Sequence, residues 1–147
     1  MTRKEQYNQL ILQIAGLIRD ETNLVGILAN VSAALHDAFP ERFFWVGFYL
    51  QENGNMLRLG PFQGSVACYV IPFGKGVCGK AWEEERTLIV PDVEKFPGHI
   101  PCSSLSRSEI VVPMYDDSHT FRGVLDIDST RLNDFNEDDK EGLERII

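Results

Sequence analysis

No stretch of this chain comes near the ~20 consecutive apolar residues that a membrane-spanning helix needs. A secretory leader is not expected either, because Met1-Thr2-Arg3-Lys4-Glu5-Gln6 runs straight into an amphipathic pattern. Positive charge is scarce: 14 lysines and arginines face 22 acidic residues, a formal net charge of −8. That balance argues against a nucleic-acid backbone or an anionic membrane as partner. Repeats, linkers and low-complexity tracts are absent. Cysteine is sparse, with three residues separated by nine and then twenty-three others. These gaps lack the close pairing typical of structural zinc, so a zinc site made from the three cysteines and His99 is not expected. No local signature of a cysteine protease surrounds any of the three histidines, His36, His99 and His119. Three cysteines without a secretory signal point to a reducing, cytoplasmic setting, where a thiol pair is more often catalytic than structural.

What remains is ordinary globular material. The 147 residues are 44% hydrophobic and 24% charged, enough for one domain over residues 1–147 with its own core. Tyr7, Leu10, Ile11, Ile14, Leu17 and Ile18 recur at helical spacing in residues 4–20. A second helix, capped by Asn23 and stopped by Pro40, turns Leu24, Ile27, Leu28, Val31 and Leu35 inward. Strands are expected over 43–50, 56–59, 68–73, 88–90, 108–115 and 121–128, with an Asn53-Gly54 turn joining the first two. A short helix covers 77–86, and an acid-rich start opens a terminal helix near Phe135. That helix stops abruptly at Ile147, which leaves room for a longer natural chain. The strands meet mainly through hairpins. The expected fold is α+β, a central antiparallel sheet with helices packed on one side.

Chemistry-bearing residues gather between Cys68 and Asp128. Strand side chains alternate, so Asp126 and Asp128 share a face. At a separation of roughly 7 Å along a strand, two charges repel by about 2.5 kcal/mol at an effective dielectric near 20. That is enough to hold a proton on one of them. Trp45 and Tyr49 also share a face, either as core or as an aromatic wall for a small ligand. Gly74-Lys75-Gly76-Val77-Cys78-Gly79 matches a dinucleotide-binding pattern, yet hairpins follow it instead of βαβ units. It reads better as a glycine turn ahead of a short helix. Residues 91–107 form a long connection with Pro97, Gly98 and Pro101, and loops of this length usually serve a function. Cys102 sits there in a polar segment where its thiol is reachable.

Taken together, these segments resemble the free methionine-(R)-sulfoxide reductases, a family built on a GAF domain. The resemblance rests on Trp45 to Leu50, Gly64 to Cys68, Gly74 to Gly79, His99 to Cys102, Ser108 to Pro113 and Gly123 to Ser129. It implies that Cys102 is the nucleophilic thiol, Cys68 the main resolving thiol and Cys78 a secondary one. It further implies that Glu109, Asp126 and Asp128 bind and polarise the substrate, and that Trp45 and Tyr49 enclose its methylthio end. Pro101 and Ser103 depart from the alanine and acid expected beside Cys102. The implied partners are free methionine sulfoxide and a thioredoxin-type reductant, with no metal or organic cofactor. The oligomeric state is open, a homodimer among the options. The rival reading is a GAF sensor that binds a small molecule, or signals oxidation, without turnover.

Overall fold

A computed structural model describes residues 1–147. Thr2 and Glu5 close a capping box at the start of α1 (Arg3–Ile18), satisfying backbone donors that the first turn leaves free. Tyr7, Leu10 and Ile14 are its buried positions. Asn23 occupies the N-cap of α2 (Leu24–Ala38), but its side chain makes no capping bond. Its own backbone N–H, with that of Thr22, donates instead to the Glu21 carboxylate. The remaining elements are β1 (Trp45–Glu52), β2 (Met56–Gln63), β3 (Val70–Pro72), α3 (Gly76–Glu84), β4 (Leu88–Val90), a 3₁₀ turn (Val93–Lys95), β5 (Ser108–Tyr115), β6 (Phe121–Ser129) and α4 (Glu137–Ile146).

The six strands form one sheet in the order β3-β2-β1-β6-β5-β4, and every pairing is antiparallel. Alternation splits the strand residues between two cores. Val46, Phe48, Ile110, Val112, Leu125 and Ile127 meet the helices α1, α2 and α4 on one face. Val111, Val124 and Leu57 meet Val77, Ala81 and Trp82 of α3 on the other. The expectation of helices on one side therefore holds for α1, α2 and α4, while α3 lies opposite them. The reason is connectivity: β3 delivers the chain to the far face, and the Gly74–Gly76 turn, with φ of 73° and 62°, sends it back across the sheet. No dinucleotide-type βαβ unit forms there.

Two strand boundaries differ from expectation. β2 continues to Gln63, whereas Cys68 lies outside β3, in a connection across the same face. Gly64 makes this possible, since its φ is 133° and a Cβ would sit 2.7 Å from Trp45 Cδ1.

A buried polar network pins α4 to α1 and to the exit of β6. Asp139 accepts from Arg42 at 3.0 Å, Arg3 at 2.9 Å and the Tyr7 hydroxyl at 2.6 Å. Asp134 accepts from Arg42 at 3.2 Å and from the Ser129 hydroxyl at 2.5 Å. The Asp139 side chain is 0% exposed and that of Arg42 13%. Asp139→Ala leaves that guanidinium without its main counter-ion, and the expected cost is about 3–5 kcal/mol. Urea unfolding measures it; a loss below about 1 kcal/mol would show that water replaces the carboxylate.

Candidate active site

The sheet register builds the floor of the site. Glu109 of β5 stands opposite Asp128 of β6, which stands opposite Trp45 of β1. One step along, Asp126 lies between Val111 and Gly47. Because residues two apart share a face, Glu109, Asp126, Asp128, Trp45 and Tyr49 all project to the α3 side. Cys78 of α3 closes over them, its sulfur and one oxygen each of Glu109 and Asp126 lying within 4.8 Å of one another.

The walls come from the two irregular segments. Cys68 and Cys102 form a disulfide that joins them, with 5.4 Å between Cα atoms and a sequence separation of 34. Cys78 remains free and buried. Trp45 Nε1 donates to the Ser65 carbonyl at 2.9 Å, and the Tyr49 hydroxyl donates to the Cys68 carbonyl at 3.0 Å. Trp45 also stacks on Phe62, centroids 5.1 Å apart. Sequence reasoning offered core packing or a ligand wall for these aromatics. Both side chains pack in the core beneath α3 and line the cavity, and both also hold the Cys68 segment against the sheet.

The Cys102 segment is tied differently. Its backbone bonds are local: His99 N–H to Phe96, Cys102 N–H to Ile100, and Leu105 N–H to the Ser103 hydroxyl. From Gly98 to Ser106, the disulfide and the packing of Ile100 on Gly76 are the main attachments to the body. Ser103 thus closes a small side-chain turn, a task open to an acidic residue too. Pro101 is exposed.

The cavity is lined by every predicted site residue except Cys68, which reaches it only through its disulfide to Cys102, and by others that sequence reasoning did not single out, including Ser106 and Ile71. Ser106 carries no periodic signal, since it lies in an irregular loop and meets Asp128 only through the tertiary fold. In this disulfide-bonded form the cavity measures about 40 Å³, room for roughly two or three waters.

Electrostatics in the cavity are one-sided. No lysine or arginine lines it, and burial lowers the pKa of His99, which keeps it neutral. Burial, then the charges of Asp126 and Asp128, push Glu109 well above the carboxylate range. Asp128 rises from burial and from Asp126, with Ser106 pulling the other way; its side chain keeps some open surface, which tempers the effect. Asp126 is raised by burial but favoured as an anion by hydrogen bonds from Glu109 and Cys78. Burial and the three acids push the Cys78 thiol far up. All three acids are therefore pushed toward the protonated form, with hydrogen bonds opposing the shift at Asp126.

The family model described as GAF domain matches residues 19–147. The free methionine-R-sulfoxide reductase of Saccharomyces cerevisiae is 43% identical over 151 residues, covering 99% of this chain and 84% of the yeast protein. The chain belongs to this family of GAF-domain reductases. GAF domain-containing protein A of Dictyostelium discoideum is 56% identical over 146 residues, covering 99% of this chain and 90% of its own. Among solved structures, the free methionine-R-sulfoxide reductase of Neisseria meningitidis, in complex with its substrate, superposes with a TM-score of 0.93 at 46% identity. That match covers 99% of this chain and 91% of the Neisseria chain. The fold is an antiparallel α+β unit, and none of its helices is long and apolar enough to cross a membrane.

Proposed function

We propose that this chain reduces free methionine-(R)-sulfoxide to methionine, with Cys102 as nucleophile and Cys68 as resolving thiol. The observation that carries the reading is the meeting of Cys68 and Cys102 over a floor of three acids. The Cys102 thiolate takes the sulfoxide oxygen and becomes a sulfenic acid, while the sulfoxide sulfur gains two electrons and leaves as methionine. The Cys68 thiol then condenses with the sulfenic acid, releasing water and leaving the disulfide. A thioredoxin-type dithiol reduces that disulfide by exchange, and Cys78 serves as a secondary thiol. The sulfoxide oxygen needs a proton as its bond to sulfur weakens. Glu109 and Asp128 hold one above the ordinary carboxyl range, while anionic Asp126 receives the substrate ammonium. That ammonium also relieves the repulsion an acidic pocket exerts on a thiolate.

In the disulfide-bonded form the site is a narrow cavity beneath the Cys102 segment. Reduction cuts the main tie of the Cys102 segment, so substrate enters the reduced form and the loop closes over it. The direct test is NADPH oxidation coupled through thioredoxin reductase and thioredoxin, with the separated R and S isomers. Turnover of R alone supports the reading. Binding of methionine sulfoxide without loss of thiols would make the chain a sensor.

Two further outcomes follow from the geometry. N-acetyl-methionine-(R)-sulfoxide lacks the ammonium that Asp126 requires. Its kcat/KM is expected to fall about a hundredfold or more, in line with the ~3 kcal/mol cost of a buried charge left unpaired. Equal rates for the free and acetylated compounds would remove the role given to Asp126. Tyr49→Phe keeps the ring and deletes the bond to the Cys68 carbonyl. The first turnover is expected to change less than about twofold and resolution to slow about fivefold, the worth of one hydrogen bond. Rapid-quench measurement of methionine and of disulfide separates the two steps, and equal slowing of both would refute the tether.

A further inference from the structure

The disulfide leaves Cys78 as the free thiol of the chain, and what surrounds it is arranged for a cation. Its sulfur and the carboxylate oxygens of Glu109 and Asp126 converge within 4.8 Å, and all three residues are buried. Asp126, 6% exposed, has one oxygen, Oδ1, that is buried and accepts no hydrogen bond from a fixed donor. No lysine or arginine of the lining supplies a counter-charge. We propose that this cluster is a binding site for a borderline-soft divalent cation, Zn²⁺, held by Cys78 Sγ, Glu109 and Asp126. Asp128 or a water takes the fourth position.

The donor set selects the metal. A thiolate with two carboxylates suits zinc, whereas magnesium and calcium call for an all-oxygen shell of six or more ligands. Around a tetrahedral zinc, sulfur and oxygen ligands lie roughly 3.4–3.6 Å from one another. The three atoms, now within 4.8 Å of one another, therefore need to draw together by about 1.4 Å at most, within reach of side-chain rotations. Binding releases the thiol proton, and any proton shared by the carboxylates, to buffer; no electron moves. This site uses one cysteine and no histidine, unlike the three-cysteine arrangement that the spacing argues against. The metal would occupy the place given above to the substrate ammonium, so Zn²⁺ would compete with substrate. That consequence rests on the proposed reductase activity, whereas the binding itself does not.

Co²⁺ serves as the probe, because a cobalt–thiolate bond absorbs in the near ultraviolet. In the disulfide-bonded protein Cys78 is the single thiol able to give that band. The double variant Cys68→Ser/Cys102→Ser repeats the measurement with the loop released. The expected result is a band saturating at one equivalent in at least one of these forms, displaced by Zn²⁺. The band should vanish in Cys78→Ser, and the affinity should fall more than about tenfold in Glu109→Gln. Absence of the band from both forms overturns the proposal, as does its survival in Cys78→Ser. If Cys78→Ser does not fold, unchanged cobalt affinity in Glu109→Gln overturns it by itself. Cobalt binding without any rise in the apparent KM for methionine-(R)-sulfoxide would leave the metal site standing and remove the substrate site from it.

Discussion

Cys102→Ser is expected to reduce turnover of free methionine-(R)-sulfoxide to background, a loss of more than about a thousandfold. A serine hydroxyl is not ionised at neutral pH and cannot pass through a sulfenic state, so neither half of the cycle survives. Cys68→Ser is the informative partner. It keeps the attacking thiol and should form about one methionine per chain in a single turnover, then stall or recycle slowly through Cys78. Both variants lose the same cross-link, which closes a loop of 34 residues and is worth about 3–4 kcal/mol by chain entropy. Their melting temperatures should therefore match each other, and the activity contrast cannot be a stability effect. Single-turnover methionine formed by Cys102→Ser, or its complete loss in Cys68→Ser, would reverse or cancel the two roles.

Glu109→Gln is expected to lower kcat by about 10²–10⁴-fold, the usual contribution of a positioned general acid, while making the chain more stable at neutral pH. The stability sign follows from burial. Glu109 is 5% exposed, and burial with the neighbouring acids raises its folded pKa well above the unfolded value. Between those two values the folded chain binds more protons than the unfolded one, so stability falls as pH rises through the window. The amide carries no proton to lose. The variant should match the parent near pH 4 and exceed it at pH 7 and above by about 1 kcal/mol, roughly 2–4 °C in Tm. Melting curves from pH 4 to 8 check the claim. A variant less stable than the parent at every pH would mean that Glu109 is a structural hydrogen-bond partner of Asp126 instead of a strained acid. A kcat within about threefold of the parent would remove it from proton transfer.

A stabilising substitution that destroys activity is the mark of residues kept for chemistry at the expense of the fold. Gathering three carboxylates and a thiol under α3 opposes folding, and the rest of the molecule offsets it. The opposite face carries the larger apolar core of α1, α2 and α4. There the buried acids are paired with arginines, Arg42 and Arg3 on Asp139 and Arg42 on Asp134, with Arg42 Nη1 alone left without a partner. The two faces of one sheet thus carry a paired charge cluster and a cluster of crowded acids, and alternation along β1, β5 and β6 keeps them apart.

Much of this was legible in the chain itself. The spacing of Tyr7, Leu10 and Ile14 makes α1 a helix with one buried stripe, and the two-residue step from Asp126 to Asp128 puts both acids on one face. Such patterns depend on backbone geometry that repeats every few residues, so local sequence suffices. The motifs around Trp45, Cys68, Cys78, Cys102, Glu109 and Asp126 also carried the family resemblance, because their joint spacing is specific where each alone is not. The placing of α3 on the face opposite the other helices, the end of β2 and the position of Cys68 outside β3 were not legible. Each turns on where a connection leaves the sheet, and Gly64 and the Gly74–Gly76 turn decide that through contacts with distant atoms. The same holds for the site. Glu109 meets Asp126 and Asp128 only because β5 and β6 pair in one register out of several that a hairpin permits. Cys102 joins Cys68 at a sequence separation of 34, and the Trp45 and Tyr49 side chains, read as core or as a ligand wall, also hold the Cys68 segment by two hydrogen bonds. Local periodicity determined which residues point together along each element; packing of the whole sheet decided which elements face one another, since register and loop paths are settled by contacts among residues far apart in the chain.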